Sequence, residues 1–436
     1  MTALRVGAAS RVLTPEVGRA MAGYAARRGP ATAVVDDLYC QAVVLRDGDT
    51  TVALAVCDLL YVTGPLTAAV RAELSSRLGV PGQHVMLAAT HTHCGPAGLG
   101  STPDDESLRE RLVAGIVDAV ADAADAAVPA RLVAGRTHVP GVACNRRDPD
   151  GPVDDVVRVV TALPVDGDDA IAVLVNFACH ATVLDHETCA YSADYPGAVR
   201  RAVESLCGGH AIFLQGCAGD VNPAFAAQTP AEARRVGHVV GAAAAECALR
   251  LSWLGRDRRT INLSRREQLA VPGSVDGDVV HPAPLSAAEE EIVATVRVRP
   301  DLEQVRREQA DVTTGPRAVE LWIEELFAAE PWHFASMDRP PGDTAALPVQ
   351  MLRLGADLAV VGLPGEPFTA TAAAIRDATS STVLVAGYAN LAAGYLPTRE
   401  EFERSGYEVG STQYVPGTAE ELAEAAVRLL AGARET

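Results

Sequence analysis

His91 and His93, two positions apart at the end of a short apolar run, are the first residues here whose type and spacing could do chemistry. A strand over 84–91 sets residues two apart on the same face, so both imidazoles point one way. One histidine at a strand end is ordinarily a polar terminus; two on one face, followed by Cys94-Gly-Pro96, point to a metal or acid–base site. A second run, Ile171–His180, also delivers a histidine at its carboxyl end, ahead of Asp185-His-Glu187 and Ser192-Ala-Asp194. A catalytic zinc takes about three or four protein ligands and keeps one open position, so an acid is wanted beside the histidines. Glu366 answers to that, held on a rigid turn in Leu363-Pro-Gly-Glu366-Pro, although a carboxylate just before a helix is as readily a cap as a ligand.

These residues depend on the elements that carry them. Short valine- and leucine-rich runs alternate with helical stretches, the pattern of an α/β protein, and open α/β sheets place their sites at strand carboxyl ends. Strands are expected at 51–58, 84–91, 131–139, 158–163, 171–180, 211–215, 358–363 and 382–389. Helices are expected at 64–78, 107–127, 195–207, 230–251, 286–311, 316–329, 368–379 and 419–432. Thr229-Pro-Ala-Glu232 and Thr418-Ala-Glu-Glu421 read as capping boxes. The charged, proline-punctuated zone at about 256–342 reads as a helical insertion, and 1–436 as one compact unit: a mixed-sheet α/β core with helices on its faces.

Composition narrows the function. The chain has no lysine, so its 37 basic residues are all arginines against 56 acids, a net charge of −19. This argues against nucleic acid, which is bound by a basic face, and excludes Schiff-base chemistry and a lysine-dependent phosphate loop. The arginine and alanine bias fits a GC-rich genome. The start has no charged segment followed by an apolar run, so no signal peptide is expected and the location reads as cytoplasmic. Membrane insertion is not expected either, since the most apolar stretch, Leu112 to Val128, is broken by Asp118, Asp122 and Asp125. Nine cysteines without a Cys-x-x-Cys pair fit reduced thiols, with Cys57 and Cys179 as small core residues.

Six motifs then occur in a fixed order: Ala-Thr-His91-Thr-His93-Cys-Gly-Pro, Asn145-Arg146, Phe-Ala-Cys-His180, Gly219-Asp-Val-Asn-Pro223, Pro-Gly-Glu366 and a late tyrosine-rich segment. Together with Met21-Ala-Gly-Tyr24-Ala they resemble the catalytic domain of the neutral, non-lysosomal ceramidases over about residues 5 to 415. The resemblance implies one zinc per chain, held by His91, His180, Glu366 and Tyr395, with Tyr407 as a second site tyrosine. It implies metal-activated attack of water on an amide carbonyl, with His93 exchanging a proton with the leaving group or holding the oxyanion. Arg146, or its neighbour Arg147, becomes a fixed cation near substrate oxygen, or an ordinary ion-pair partner.

Two departures concern the substrate. Ceramidases carry serine where this chain has Asn222, which cannot be a nucleophile but can donate a hydrogen bond to an oxyanion or a substrate polar group. The chain stops at Thr436, without room for the immunoglobulin-like domain that follows the catalytic domain in ceramidases. With 4% aromatics and no long apolar segment, a small soluble N-acyl compound fits better than a membrane lipid. Asp58, Asp194 and Asp220 read either as acceptors orienting histidine N–H groups or as turn and helix caps. Cys94 reads as a passive pocket thiol. The resulting expectation is a zinc-dependent amidohydrolase; the alternatives are an amide-forming or cyclising enzyme on the same site, or an inactive ligand-binding homologue.

Overall fold

The computed structural model describes residues 4–99, 103–167, 169–270, 277–299, 301–329 and 343–432. Its first sheet is built from β1 (Arg5–Val12), β2 (Tyr39–Asp47), β3 (Thr50–Cys57), β4 (Val85–Ala89), β5 (Val128–His138), β6 (Val156–Pro164), β7 (Ala172–Phe177) and β8 (His210–Gln215). The hydrogen-bonded order is β8-β7-β6-β5-β1-β2-β3-β4, with the two-residue strand Asp278–Val279 added to β5. The β3–β4 and β7–β8 pairs are parallel and the rest antiparallel, so the sheet is mixed. A second sheet has the order β9 (Ser286–Thr295), β10 (Thr344–Gly355), β11 (Leu358–Gly362), β12 (Thr382–Ala386), with only β11–β12 parallel.

The two sheets share one apolar core, in which Val43, Leu54, Met86, Leu174 and Leu214 meet Leu352, Val360 and Leu384. The outer face of the first sheet is covered by α1 (Gly64–Leu78) and α2 (Pro103–Asp125) at one end and by α3 (Asp194–Cys207) and α4 (Pro230–Leu251) at the other. The outer face of the second is covered by α7 (Thr369–Asp377) and α10 (Thr418–Gly432). The result is a four-layer α/β/β/α arrangement, the mixed-sheet α/β fold expected from the alternating pattern. Cys57 and Cys179 are buried in it.

The expected helix over 286–311 is half wrong. Ala-Glu-Glu-Glu favours a helix in isolation, yet residues 286–295 form β9, pairing with β10 through ten register partners. Burial of Ile292 and Ala294 on one face, and pairing of Glu289 with Arg71 (2.7 Å) on the other, override the propensity. Only α5 (Leu302–Asp311) is helical there, followed by α6 (Pro316–Ala329). The zone 256–342 is therefore not simply helical, since it also holds the hairpin Arg259–Asn262/Glu267–Ala270; its residues 271–276, 300 and 330–342 lie outside the described residues. β1, β2 and β10 were absent from the expected strands. Neither capping box closes: Thr229 accepts from Glu232 N–H, but the Glu232 side chain accepts from Ala226, and the Thr418 hydroxyl donates to Val415 O instead.

Candidate metal centre

The centre lies where the two sheets meet. β4 stops at Ala89, and the chain then turns through His91, whose φ of 62° is left-handed. The expected strand face carrying both histidines is thus corrected: a loop, not a strand, brings the two rings together, with their Nε2 atoms 3.2 Å apart. β7 likewise ends before His180, whose backbone N–H donates to Val221 O at 3.1 Å. From the second sheet, β11 runs into Gly365, at φ +61°, where a Cβ would sit 2.3 Å from Gly394 O. Only glycine fits there, and it brings Glu366 into parallel register with Tyr395.

The side chains converge tightly. Glu366 Oε2 is 3.1 Å from His180 Nε2 and 3.3 Å from His91 Nε2, and all of these residues are buried. His91 Nδ1–H donates to Leu60 O at 2.8 Å and His180 Nδ1–H to Ala218 O at 2.6 Å. A carbonyl can only accept, so in the neutral ring each Nε2 is left as a bare lone pair. Burial, with Arg146 nearby, pushes His180 down to about 4, which keeps it neutral near pH 7. Burial works against the Glu366 carboxylate, but the imidazoles of His91 and His180 outweigh it and hold it well below the usual glutamate range. Two nitrogen lone pairs and a carboxylate oxygen thus face one another, an arrangement that a cation resolves and that matches the preference of zinc for nitrogen and oxygen donors. His91, His93 and His180 place ring nitrogens within 4.8 Å of one another.

His93 differs from the other two. Its Nδ1 is buried without a partner among the described residues, whereas a ligand histidine ordinarily anchors its second nitrogen. Burial, then the neighbouring histidines, push its pKa well below the ordinary value. Its position is set by Arg27, which donates to its carbonyl at 2.8 Å, and by the Tyr24 ring at 4.8 Å, so the Met21–Ala25 motif packs against it. Cys94 accepts from Arg27 at 3.5 Å, and burial pushes its thiol up to about 12, a passive role.

Tyr395 stacks beside His180 with centroids 6.4 Å apart, and Tyr407 meets it edge-on at 5.6 Å. The Arg146 guanidinium lies 5.2 Å from the Tyr395 ring and donates to Glu408 (2.7 Å), Gly219 O (2.8 Å) and Asn222 Oδ1 (3.4 Å). Arg147 turns away to Glu401, Glu408 and Ser405 O, so of the two arginines Arg146 is the one at the centre. Arg146, Asn222 and Tyr407 also line a cleft of about 490 Å³, together with Val319, Arg404 and Glu408.

None of the three aspartates accepts from a histidine of the centre. Asp58 forms a buried two-pronged pair with Arg200 (2.7 Å each) and receives Thr90 Oγ1; Asp194 receives Leu184 N–H; Asp220 caps α7 through Thr369 N–H at 2.8 Å. Backbone carbonyls take the orienting role instead. Two tyrosines were missed: Tyr61, whose hydroxyl donates to Glu366 Oε1, and Tyr388, which stacks on His91 at 4.1 Å. Both follow the carboxyl ends of strands, β3 and β12, a position that could have marked them.

A buried three-histidine, one-carboxylate centre in an α/β/β/α sandwich is the architecture these observations define. The chain belongs to the neutral/alkaline non-lysosomal ceramidase family, whose N-terminal model matches residues 5–248. The neutral ceramidase of Pseudomonas aeruginosa is 26% identical over 437 positions, covering 83% of this chain and 62% of that protein, so this chain matches less than two thirds of its relative. Two solved structures share the fold. A ceramidase complexed with C2 has a TM-score of 0.75 at 21% identity, covering 100% of this chain and 76% of the other. The neutral ceramidase from Pseudomonas aeruginosa has a TM-score of 0.75 at 22% identity, covering 100% and 75%. Among the described residues no helix is long and apolar enough to cross a membrane.

Proposed function

We propose that this chain is a zinc-dependent amidohydrolase that cleaves the C–N bond of a small N-acyl compound. The observation that carries the reading is the approach of His91 Nε2 (3.3 Å) and His180 Nε2 (3.1 Å) to the same Glu366 Oε2, with both histidine tautomers fixed by carbonyls. His91, His180, Glu366 and Tyr395 would hold the ion. Bound zinc supplies a Lewis acid for the amide carbonyl and lowers the pKa of the attacking water.

The chain's own groups do the rest. His93, free at Nδ1, exchanges the proton that the departing amine needs. Arg146 presents fixed positive charge beside Tyr395, and its bond to Asn222 Oδ1 turns the Asn222 amide nitrogen into the donor available to a substrate polar group. Tyr407 and Asn222 line the cleft that receives the substrate. The family's curated relative is named for ceramide; the cleft here mixes the charged groups of Arg146, Arg404 and Glu408 with the apolar surfaces of Pro316, Val319 and Tyr407, which suits an amide carrying both a polar and an apolar part.

The test is a panel of N-acyl amides, including a short-chain ceramide, assayed on protein with and without chelator. Release of amine from a small amide, abolished by chelator and restored by zinc, supports the reading. Turnover of ceramide alone overturns the substrate assignment, and no turnover by zinc-loaded protein favours an inactive binder.

A further inference from the structure

Four tyrosines surround Glu366, and they use their hydroxyls differently. Tyr61 spends its own on Glu366 Oε1, and Tyr395 and Tyr407 line up with Arg146. Tyr388 is 1% exposed, and its hydroxyl has no hydrogen-bond partner among the described residues. Yet its ring is held firmly. It stacks on His91 with centroids 4.1 Å apart at 27° and stands edge-on to His180 at 6.3 Å. Its N–H donates to Gly365 O at 2.8 Å, and its carbonyl receives Ala89 N–H at 3.1 Å, so its backbone is tied to the chain leaving both β4 and β11.

Two costs are built into this residue. A buried hydroxyl without a partner is unfavourable, because it gave up water and gained nothing. The backbone is also left-handed, at φ 56°, a conformation that an aromatic residue rarely takes, and its stacking partner His91 has the same handedness. Strain of this kind persists where surrounding structure imposes it, and it gathers at functional sites. Through its contacts with both imidazoles the ring sits at the edge of the centre itself.

We propose that Tyr388 is a further catalytic residue of this centre: its hydroxyl is the free donor that hydrogen-bonds the carbonyl oxygen of the bound acyl group as negative charge develops there. The inference rests on the hydrolase reading for the identity of that oxygen. A donor held in place before reaction needs no reorganisation when charge appears, which is why such groups are effective.

Tyr388→Phe keeps the ring and removes only the orphan hydroxyl. The proposal expects a melting temperature equal to or above that of the wild type, an unchanged zinc content, and kcat/KM on the small amide lower by about a hundredfold. Acetohydroxamate, which presents a carbonyl oxygen to bound zinc, gives a readout independent of turnover: its calorimetric affinity for the zinc-loaded protein should fall about tenfold in the variant. Wild-type affinity for acetohydroxamate in Tyr388→Phe overturns the proposal. So does a melting temperature lowered by several degrees, since the hydroxyl would then have a partner inside the fold. If wild type binds zinc and acetohydroxamate but cleaves no amide, the hydrolase reading fails, while the affinity ratio still decides the role of Tyr388. A wild type that binds neither overturns both.

Discussion

His180 and Glu366 come from different sheets, the first from the loop after β7 and the second from the turn after β11, yet their Nε2 and Oε2 atoms lie 3.1 Å apart. The centre is thus a joint between the two halves of the sandwich, and a cation bound there would tie the halves together.

Glu366→Gln tests this joint. The amide keeps the shape but removes the charge that two histidine lone pairs face, so zinc affinity is expected to fall by a hundredfold or more. Ligand binding stabilises the folded state by about 2.7 kcal/mol at a hundred times Kd. Added zinc should therefore raise the melting temperature of the wild type clearly and that of Glu366→Gln little. Equal shifts in the two proteins would show that the carboxylate is not a ligand.

Two buried groups contribute to the acid dependence of the metal-free protein with opposite signs. Burial, with Arg146, lowers His180 from 6.5 to about 4, so between those pH values the unfolded chain takes up a proton that the folded chain refuses. That contribution is complete above pH 6.5 and is lost as pH falls. Burial raises Asp194 from 3.8 to about 6 against the pull of backbone N–H groups, so over nearly the same range the folded chain holds a proton that the unfolded chain lacks. Acidification then favours folding, by an amount on the order of 3 kcal/mol for each such shift. Asp194→Asn removes the compensating term, and its melting temperature should fall more steeply than that of the wild type between pH 7 and pH 4.5. Parallel profiles would contradict this.

Arg146 and Arg147 separate activity from stability. Arg146→Gln is expected to lower kcat/KM by about a hundredfold with folding and zinc retained, because it removes the cation beside Tyr395. Arg147→Gln breaks buried bonds to Glu401, Glu408 and Ser405 O, and should cost about 3 kcal/mol in denaturant unfolding with a smaller effect on rate. The reverse pattern would exchange the two roles.

The segment before α5 and α6 reaches the site through α9 (Tyr407–Ser411). Arg297 donates to Val409 O at 2.6 Å; Arg299 donates to Gly410 O and Thr412 O at 2.9 Å each and pairs with Glu324 of α6 at 2.7 Å. Arg299→Ala should loosen the helix that carries Tyr407 and Glu408, raising KM several-fold with zinc content unchanged. An unaltered KM would confine the segment to a structural part.

Much of this was legible in the sequence, for physical reasons. The runs at 51–58, 358–363 and 382–389 read as strands because β3, β11 and β12 are buried on both faces, and unbroken apolar runs are the signature of such strands. β1 and β2 escaped notice, β1 because its small and polar residues show no alternation. β9 was misread because three glutamates favour a helix until β10 pairs with them. His91, His180 and Glu366 were visible as strand-end residues in ordered motifs, whereas Tyr61 and Tyr388 also follow strand ends but belong to no motif of chemistry-bearing residues. Their importance arises only when two sheets bring them to one carboxylate.

The most direct test of the central claim is crystallographic: an anomalous difference map from zinc-loaded protein, recorded on both sides of the zinc absorption edge. The account predicts one peak per chain among His91 Nε2, His180 Nε2, Glu366 and Tyr395. A map without a peak there, or with its only peak elsewhere, would contradict it.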